Sequence, residues 1–202
     1  MSPIDFYFDL TSPYSYLASH WIEPLAAKHG RRVEWHAILL GATFQAAELK
    51  SPMSYPIKRE YSLHDFERSA RYEGVPFAMP ETFPVPTQNV SRVFWWLKER
   101  PDAGDPASAS AWARRCFTAL FVQGRNPAEA NTLAELAREH GISADEAQAV
   151  CADTVWKTRL REANEAAIAA GVFGAPTFIV DGERFWGNDR QAQLARWLEA
   201  PF

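Results

Sequence analysis

The sequence has little cysteine: only Cys116 and Cys151 occur in 202 residues, 35 positions apart. They form no CxxC pair and lack zinc-ribbon or secreted-scaffold spacing, so a structural metal and a disulfide framework are both unexpected. The few histidines include no close pair at metal-ligand spacing; they stand at positions 20, 29, 36, 64 and 140. We therefore expect no metal, and a compartment that keeps both thiols reduced.

The sequence also lacks an excess of positive charge and any long apolar stretch. Its 21 Lys and Arg against 25 Asp and Glu give a formal net charge of −4, which provides no basic surface for nucleic acid. The longest apolar runs, such as residues 117–122, are far shorter than the ~20 residues of a membrane helix. Residues 1–5 contain no basic leader. We expect a soluble cytoplasmic protein that binds neither nucleic acid nor membrane.

What the sequence does contain is a globular composition, 47% hydrophobic, with strand patterns near its start. Residues 4–9 place Ile4, Phe6 and Phe8 on one face, which is the period of a strand. The segment 11–13, Thr-Ser-Pro, then has a hydroxyl residue before a proline, which favours a helix start. Residues 33–38 alternate again, and a strand–helix–strand unit implies two parallel strands.

The far end of the chain predicts a hairpin followed by a helix. Asp181-Gly182 separates two β-rich runs within 176–186, and such a pair is a strong hairpin signal. Residues 187–189 then offer a cap for a last helix. Between the two ends, helical signals predominate: a stripe around Trp112, a helix from 126 to 141, a capping box at 143–146 and a helix carrying residues 156–168.

The order of these elements predicts an α/β protein, a thioredoxin-like sheet interrupted by a large all-helical insertion. Residues 1–40 and 155–202 would form the thioredoxin-like domain, and residues 41–154 the inserted helical domain. The proline-rich stretch from about 41 to 90 is expected to form loops lining a cleft, around one helix near 57–73.

Ser12 is the most informative position, because it falls where the first strand ends and the first helix begins. A thioredoxin-like layout keeps the reactive cysteine of its CxxC pair there, whereas residues 12–15 read Ser-Pro-Tyr-Ser. A serine hydroxyl can donate a hydrogen bond to a thiolate that another molecule supplies, and so favour its ionised form. The same residue can be a helix cap and nothing more, which the tetrapeptide alone favours.

Two long strings resemble a known family: DFYFDLTSPYSYLA at 5–18 and GVFGAPTFIVDGERFWGNDR at 171–190. They are similar to 2-hydroxychromene-2-carboxylate isomerases and, more broadly, to their DsbA-like and kappa-class glutathione transferase relatives. The resemblance implies the same fold and places the family's serine at Ser12. It also implies a glutathione-dependent isomerase, in which a thiolate adds to an unsaturated aromatic acid, the ring opens, a bond rotates and glutathione leaves.

The resemblance also implies which residues bind glutathione. Ala175-Pro176 would have a cis peptide bond and pair with the cofactor's backbone, as an added strand does. Asn188-Asp189 would receive the γ-glutamyl end, with an ordinary N-cap and surface acid as the alternative. Asn164 would be a further contact, with a solvent-facing helix residue as its alternative.

The substrate side is less well specified by the resemblance. A small aromatic carboxylate would need a basic group and aromatic walls. Candidates for the basic group are Lys50, Lys58 and Arg59, and candidates for the walls are Phe83 and Trp95, with solvated charges and ordinary core aromatics as the alternative. Segments 50–54 and 81–86 depart from the relatives, so the family's substrate-pocket residues do not transfer to this sequence. A kappa-like transferase or peroxidase and a non-catalytic glutathione-binding protein remain alternatives. Relatives are often dimers, which leaves a homodimer open.

Overall fold

The structure is a computed structural model that describes residues 2–99 and 107–202. In these residues a mixed four-stranded sheet has the order β2-β1-β3-β4. Its strands are β1 (Ile4–Phe8), β2 (Val33–Ala37), β3 (Thr177–Val180) and β4 (Glu183–Trp186). Strand β1 pairs in parallel with β2 and antiparallel with β3, and β3 and β4 form a hairpin. The predicted parallel pair and the predicted hairpin are confirmed.

Helices surround this sheet, and most of them lie in sequence between β2 and β3. They are α1 (Pro13–Lys28), α2 (Leu40–Ala46), α3 (Pro56–Glu73), α4 (Gln88–Glu99), α5 (Ala107–Phe121), α6 (Ala130–Glu139), α7 (Ala144–Ala152), α8 (Thr154–Ala169) and α9 (Gln191–Glu199). Short 3₁₀ turns occupy Pro52–Ser54 and Asn188–Arg190. The predicted fold class, a thioredoxin-like fold with an inserted helical region, is confirmed.

Local sequence signals explain the elements that carry the site. Helix α1 begins after Ser12, whose side chain caps it, with Pro13 at its first position. The hairpin turns at Asp181 and Gly182, whose φ angles of 53° and 87° are the positive values that a type I′ turn requires. Ser143 and Glu146 form the predicted capping box at the start of α7.

The sheet and the inserted helices share one core. The Phe6 and Phe8 rings are fully buried and lie 4.8 and 5.3 Å from the Trp35 ring. Phe8 also contacts Phe94 of α4 and Phe117 of α5, at 5.3 and 5.9 Å between ring centroids. Burial of such large aromatic side chains contributes several kcal/mol. The insertion therefore packs directly on the face of the sheet.

Two local expectations differ from the structure, and a third helix was not predicted. Helix α2 lies at the start of a stretch expected to be loop. The helix forms there because its N-terminal N–H groups donate to distant side chains, which no short sequence pattern reveals. Helix α6 begins at Ala130 and not at 126, since the Asn126 side chain accepts a hydrogen bond from the Ala128 N–H and forms a turn. Helix α4 (Gln88–Glu99) was not predicted from the sequence.

Candidate active site

Ser12 lies at the junction of β1 and α1 and is nearly buried. Its Oγ accepts a hydrogen bond from the Ser15 N–H at 3.1 Å and donates one to the Ala175 carbonyl at 3.2 Å. The Ser12 N–H in turn donates to the Asp9 carbonyl at 2.9 Å. The Ser12 hydroxyl thus links the α1 N-terminus, which favours negative charge, to the segment before β3 that holds Ala175. The hydroxyl is a helix cap, and its donor points across the site.

The Ala175–Pro176 segment faces Ser12 and has a cis peptide bond. The Pro176 carbonyl accepts a hydrogen bond from the Gly187 N–H at 3.0 Å, and Thr177 Oγ1 donates to the Gly174 carbonyl at 2.7 Å. In the described residues the Ala175 N–H has no hydrogen-bond acceptor. This donor is available to an extended backbone laid beside the segment, which is the geometry of strand addition.

Asn188 and Asp189 form the turn before α9 and have different surroundings. Asn188 is buried, and its Oδ1 accepts a hydrogen bond from Trp21 Nε1 at 2.8 Å while its Nδ2 donates to Glu73. Asp189 is exposed and pairs with Arg190. The Asn188 side chain therefore fixes the turn, and the Asp189 carboxylate faces solvent.

Glu73 is a second acid at this end of the site that the sequence reading missed. It is the last residue of α3 and lies 115 positions before Asn188 in the sequence. It belongs to no local sequence motif. Burial raises the pKa of the Glu73 carboxyl, against the opposing effect of the hydrogen bond from Asn188. No short-range signal could reveal it, because the contact depends on how α3 packs against the turn before α9.

Asp9 is the other residue that the sequence reading missed. It is 3% exposed and accepts hydrogen bonds from the Thr11 N–H at 2.9 Å, the Leu40 N–H at 2.7 Å and the Thr87 hydroxyl at 2.9 Å. Burial raises the pKa of the Asp9 carboxyl, while these three hydrogen bonds oppose the shift. This side chain ties the Ser12 turn to the start of α2 and to the segment before α4.

Asn164 lies on α8 and is buried. Its Oδ1 accepts a hydrogen bond from the Leu39 N–H at 2.7 Å, and its Nδ2 donates to the Leu160 carbonyl at 2.6 Å. Asn164 and Asp9 together satisfy the first two N–H groups at the N-terminus of α2, a helix whose N-cap Leu39 has no capping side chain. Both Asn164 polar atoms are thus hydrogen-bonded within the chain. Asn164 is therefore not the solvent-facing helix residue that the sequence left as its alternative.

Tyr14, two residues after Ser12, connects the turn to α3. Its hydroxyl donates to Asp65, which also pairs with Arg68. Burial first, and then the adjacent Asp65 carboxylate, raise the pKa of Tyr14 far above its ordinary value. The Tyr14 ring contacts Phe66 at 4.9 Å, and Phe66 contacts Phe83 at 6.2 Å between centroids. Phe83 is thereby connected to Tyr14 of α1 through the Phe66 ring.

The two predicted substrate contacts occupy unlike places. Phe83 is half-buried, and the adjacent segment is held by a hydrogen bond from the Val85 N–H to Thr11 Oγ1 at 3.1 Å. Lys50 is exposed between α2 and the 3₁₀ turn, and it makes no hydrogen bond or ion pair in the part of the chain that is described. The structure brings Phe83 toward the site but shows no contact that fixes Lys50 there.

The two cysteines lie outside this arrangement. Cys116 is fully buried on α5, and burial raises the pKa of its thiol. Burial also raises the pKa of Cys151 to about 11. Among the described residues, no three His, Cys, Asp or Glu side chains are grouped so that they could hold a metal ion. Nor does any helix of residues 2–99 and 107–202 combine the length and apolar character that crossing a bilayer requires.

A serine at the helix start, hydrogen-bonded to the residue before a cis-proline beside a mixed sheet, defines a thioredoxin-type site without its redox cysteines. A family model described as "DSBA-like thioredoxin domain" matches residues 3–199. The chain belongs to this DsbA-like family, in the group that contains the 2-hydroxychromene-2-carboxylate isomerases and the kappa-class glutathione transferases. The resemblance stated from the two strings is therefore confirmed.

Two relatives and one solved structure show how far the similarity extends. The chain is 31% identical over 198 residues to 2-hydroxychromene-2-carboxylate isomerase of Sphingobium xenophagum, covering 96% of this chain and 97% of that protein. It is 27% identical over 208 residues to glutathione S-transferase kappa 2 of Caenorhabditis elegans, covering 98% and 92%. The structure of a selenomethionine-labelled 2-hydroxychromene-2-carboxylate isomerase matches with a TM-score of 0.86 and 28% identity, over 97% and 94% of the chains.

Proposed function

We propose that this protein is a glutathione-dependent isomerase that acts on a small aromatic carboxylate, of the 2-hydroxychromene-2-carboxylate type, in the breakdown of aromatic compounds in the cytoplasm. The observation that carries the proposal is the Ser12 hydroxyl. It is nearly buried at the α1 N-terminus and hydrogen-bonded to the residue before the cis-proline. The isomerases among its relatives support the reaction class.

The site fits glutathione in two respects. The Ala175 N–H has no acceptor within the described chain, so it can pair with the backbone of a short extended peptide. Asp189 offers an exposed carboxylate to an ammonium group, and the half-buried Glu73 adds a second acid nearby through Asn188. We propose Ser12, Ala175, Pro176, Asn188 and Asp189 as the binding residues. Asn164, whose amide is already engaged, would act by holding α2.

Bound glutathione would supply a thiolate, a soft nucleophile that is also a good leaving group. The Ser12 hydroxyl would turn from the Ala175 carbonyl toward the sulphur and donate its proton as a hydrogen bond, while the Ser15 N–H keeps the oxygen in place. The positive end of the α1 dipole favours the same negative charge. Phe83 would provide an apolar wall for the ring, and Lys50 is proposed to meet the carboxylate.

We further propose that residues 1–40 and 155–202 form the glutathione-binding domain and residues 41–154 the inserted domain. The site lies where they meet: Asp9 and Ser12 belong to the first part, and Thr87 and Asp65 to the second. A homodimer is proposed on the basis of the relatives alone.

Replacing Ser12 tests the proposal. We expect Ser12→Ala to lower kcat/KM about 10²–10³-fold, because it removes one preorganised donor to the thiolate. Ser19→Ala is the matched control: it removes another buried hydroxyl from α1, one that donates to the Tyr16 carbonyl, and should leave turnover within about twofold. The readout is the ultraviolet change of 2-hydroxychromene-2-carboxylate with and without glutathione. Near-normal turnover of Ser12→Ala would contradict the proposal and show that Ser12 acts only as a helix cap.

The same assay separates the proposed reaction from its alternatives. A spectral change that requires glutathione supports the isomerase. Conjugation of an electrophile such as 1-chloro-2,4-dinitrobenzene without isomerisation would instead identify a kappa-like transferase. If millimolar glutathione failed to raise the melting temperature, neither reaction would have its cofactor.

A further inference from the structure

A second cleft lies between α2, α4 and α8. It has a volume of about 460 Å³, which falls in the range of small-molecule sites. Of the residues assigned a role in the proposed active site, Asn164 alone lines it, and its proposed role there is to hold α2. The lining side chains are Leu39, Ala42, Gln45, Ala46, Gln88, Arg92, Lys157, Leu160, Arg161, Asn164, Glu165 and Ile168.

The walls of this cleft are apolar and its charges are mainly positive. Leu39, Leu160 and Ile168 provide branched aliphatic surface. Three cations, contributed by α4 and α8, stand against the single carboxylate of Glu165; they are Arg92, Lys157 and Arg161. In a chain with a formal net charge of −4, such a local excess of positive charge around an apolar surface favours an anionic amphipathic ligand.

The cations are only partly engaged within the protein. Lys157 is exposed, and its side chain makes no ion pair or hydrogen bond in the described residues. Arg92 donates through Nη1 to the Cys151 carbonyl at 2.5 Å and to Asn89 at 3.2 Å, but its buried Nε has no partner among the described atoms. Arg161 has one exposed contact to Glu165, at 3.3 Å, and such surface pairs are weak.

We propose that this cleft binds a small carboxylate with an apolar body, an aromatic or branched aliphatic acid, at a site separate from Ser12. The apolar part would lie on Leu39, Leu160 and Ile168, and the carboxylate would meet Lys157 and Arg92. Ala42 and Ala46 leave the space that such a body fills. The proposal does not depend on the reaction at Ser12.

The cleft shares α2 with the proposed active site. The first two N–H groups of this helix are held by Asn164, which lines the cleft, and by Asp9, which also fixes the Ser12 turn. A ligand in the cleft would therefore contact α2, and Asp9 fixes both α2 and the Ser12 turn.

Binding of 2-naphthoate, followed by two-dimensional ¹H–¹⁵N NMR on the full chain, tests the proposal. We expect a Kd on the order of 1 mM or tighter, with amide shifts centred on residues 39–46 and 157–168. Ala42→Phe should abolish binding by filling the space, while its control Ala47→Phe, on an exposed residue outside the lining, should bind normally. Equal binding by both variants would overturn the proposal.

Charge and location are tested separately. Lys157→Gln should weaken 2-naphthoate roughly three- to tenfold but leave the neutral 2-naphthylmethanol unchanged, and Lys28→Gln, which removes an exposed lysine far from the lining, should affect neither. Millimolar glutathione should not displace the probe. Displacement by glutathione, or shifts centred on Ser12 and Ala175, would place the probe in the active site and refute a second site.

Discussion

The two sides of the Ser12 site are held together by different kinds of interaction. On the sheet side, Ala175–Pro176 leads directly into β3, and the Pro176 carbonyl is hydrogen-bonded to the Gly187 backbone. On the inserted side, α2 and the segment around Phe83 are tied to the turn by side chains, above all by Asp9. Backbone hydrogen bonds do not depend on residue type, whereas side-chain ties do. The inserted side can therefore change its pocket by substitution while the sheet side keeps the geometry that is proposed to bind the cofactor.

The largest effect on the inserted side is expected from Asp9→Ala. It would leave the Thr11 N–H, the Leu40 N–H and the Thr87 hydroxyl without their acceptor, and each buried unsatisfied group costs about 1–3 kcal/mol. We expect the free energy of unfolding in urea to fall by roughly 3 kcal/mol or more. The exposed Asp145→Ala should change it by less than about 1 kcal/mol. Equal costs for the two variants would show that Asp9 does not hold the site together.

On the sheet side, Asn188→Ala should be the most informative change. It removes the acceptor for Trp21 Nε1 and the donor to Glu73, so we expect a loss of about 2 kcal/mol of stability. The KM for glutathione should rise more than the KM for the aromatic substrate, because this turn is proposed to meet only the cofactor. Asn89→Ala, on an exposed asparagine that contacts Arg92, is the control. A rise confined to the substrate KM would contradict the division between the two sides.

The pH dependence of Asp9 gives a smaller but sharper test. Burial raises the pKa of Asp9 in the folded protein above the ordinary 3.8, so the folded state binds more protons than the unfolded state between these two values. The wild type therefore gains stability from this group as the pH falls through the raised pKa toward 3.8, by about 1.4 kcal/mol per pKa unit. Asp9→Asn lacks this gain, so its cost should grow on acidification from neutral pH. A cost that shrinks would mean that the hydrogen bonds outweigh burial.

The smallest expected effect comes from Phe83→Ala, which probes the proposed substrate pocket on the inserted side. Phe83 is half-buried and makes an edge contact with Phe66, so the loss of stability should stay near 1 kcal/mol. The KM for the aromatic substrate should rise severalfold with little change in that for glutathione. The exposed Tyr72→Ala is the control and should alter neither constant. An unchanged substrate KM in Phe83→Ala would remove Phe83 from the pocket.

The sequence predicted the sheet side well because short local patterns determine its elements. Ser12-Pro13 marks a helix start and Asp181-Gly182 marks a hairpin, each within two residues. The inserted side depends on contacts that no short window contains. The N-terminus of α2 is satisfied by Asp9 and Asn164, 31 positions before Leu40 and 125 after Leu39. Those separations explain why α2 was expected to be a loop and why Asp9 gave no functional signal.

The oxygen atom at position 12 has a consequence for how the protein withstands oxidants. Serine does not pass through the sulfenic, sulfinic and sulfonic acids that disable a reactive cysteine. The chain's own thiols are poorly ionised, since burial raises the pKa of both Cys116 and Cys151. Under the proposed function, the vulnerable sulphur belongs to glutathione, which dissociates and is replaced. Oxidative damage to the reacting atom would thus leave with the cofactor, and the protein would remain ready for the next molecule.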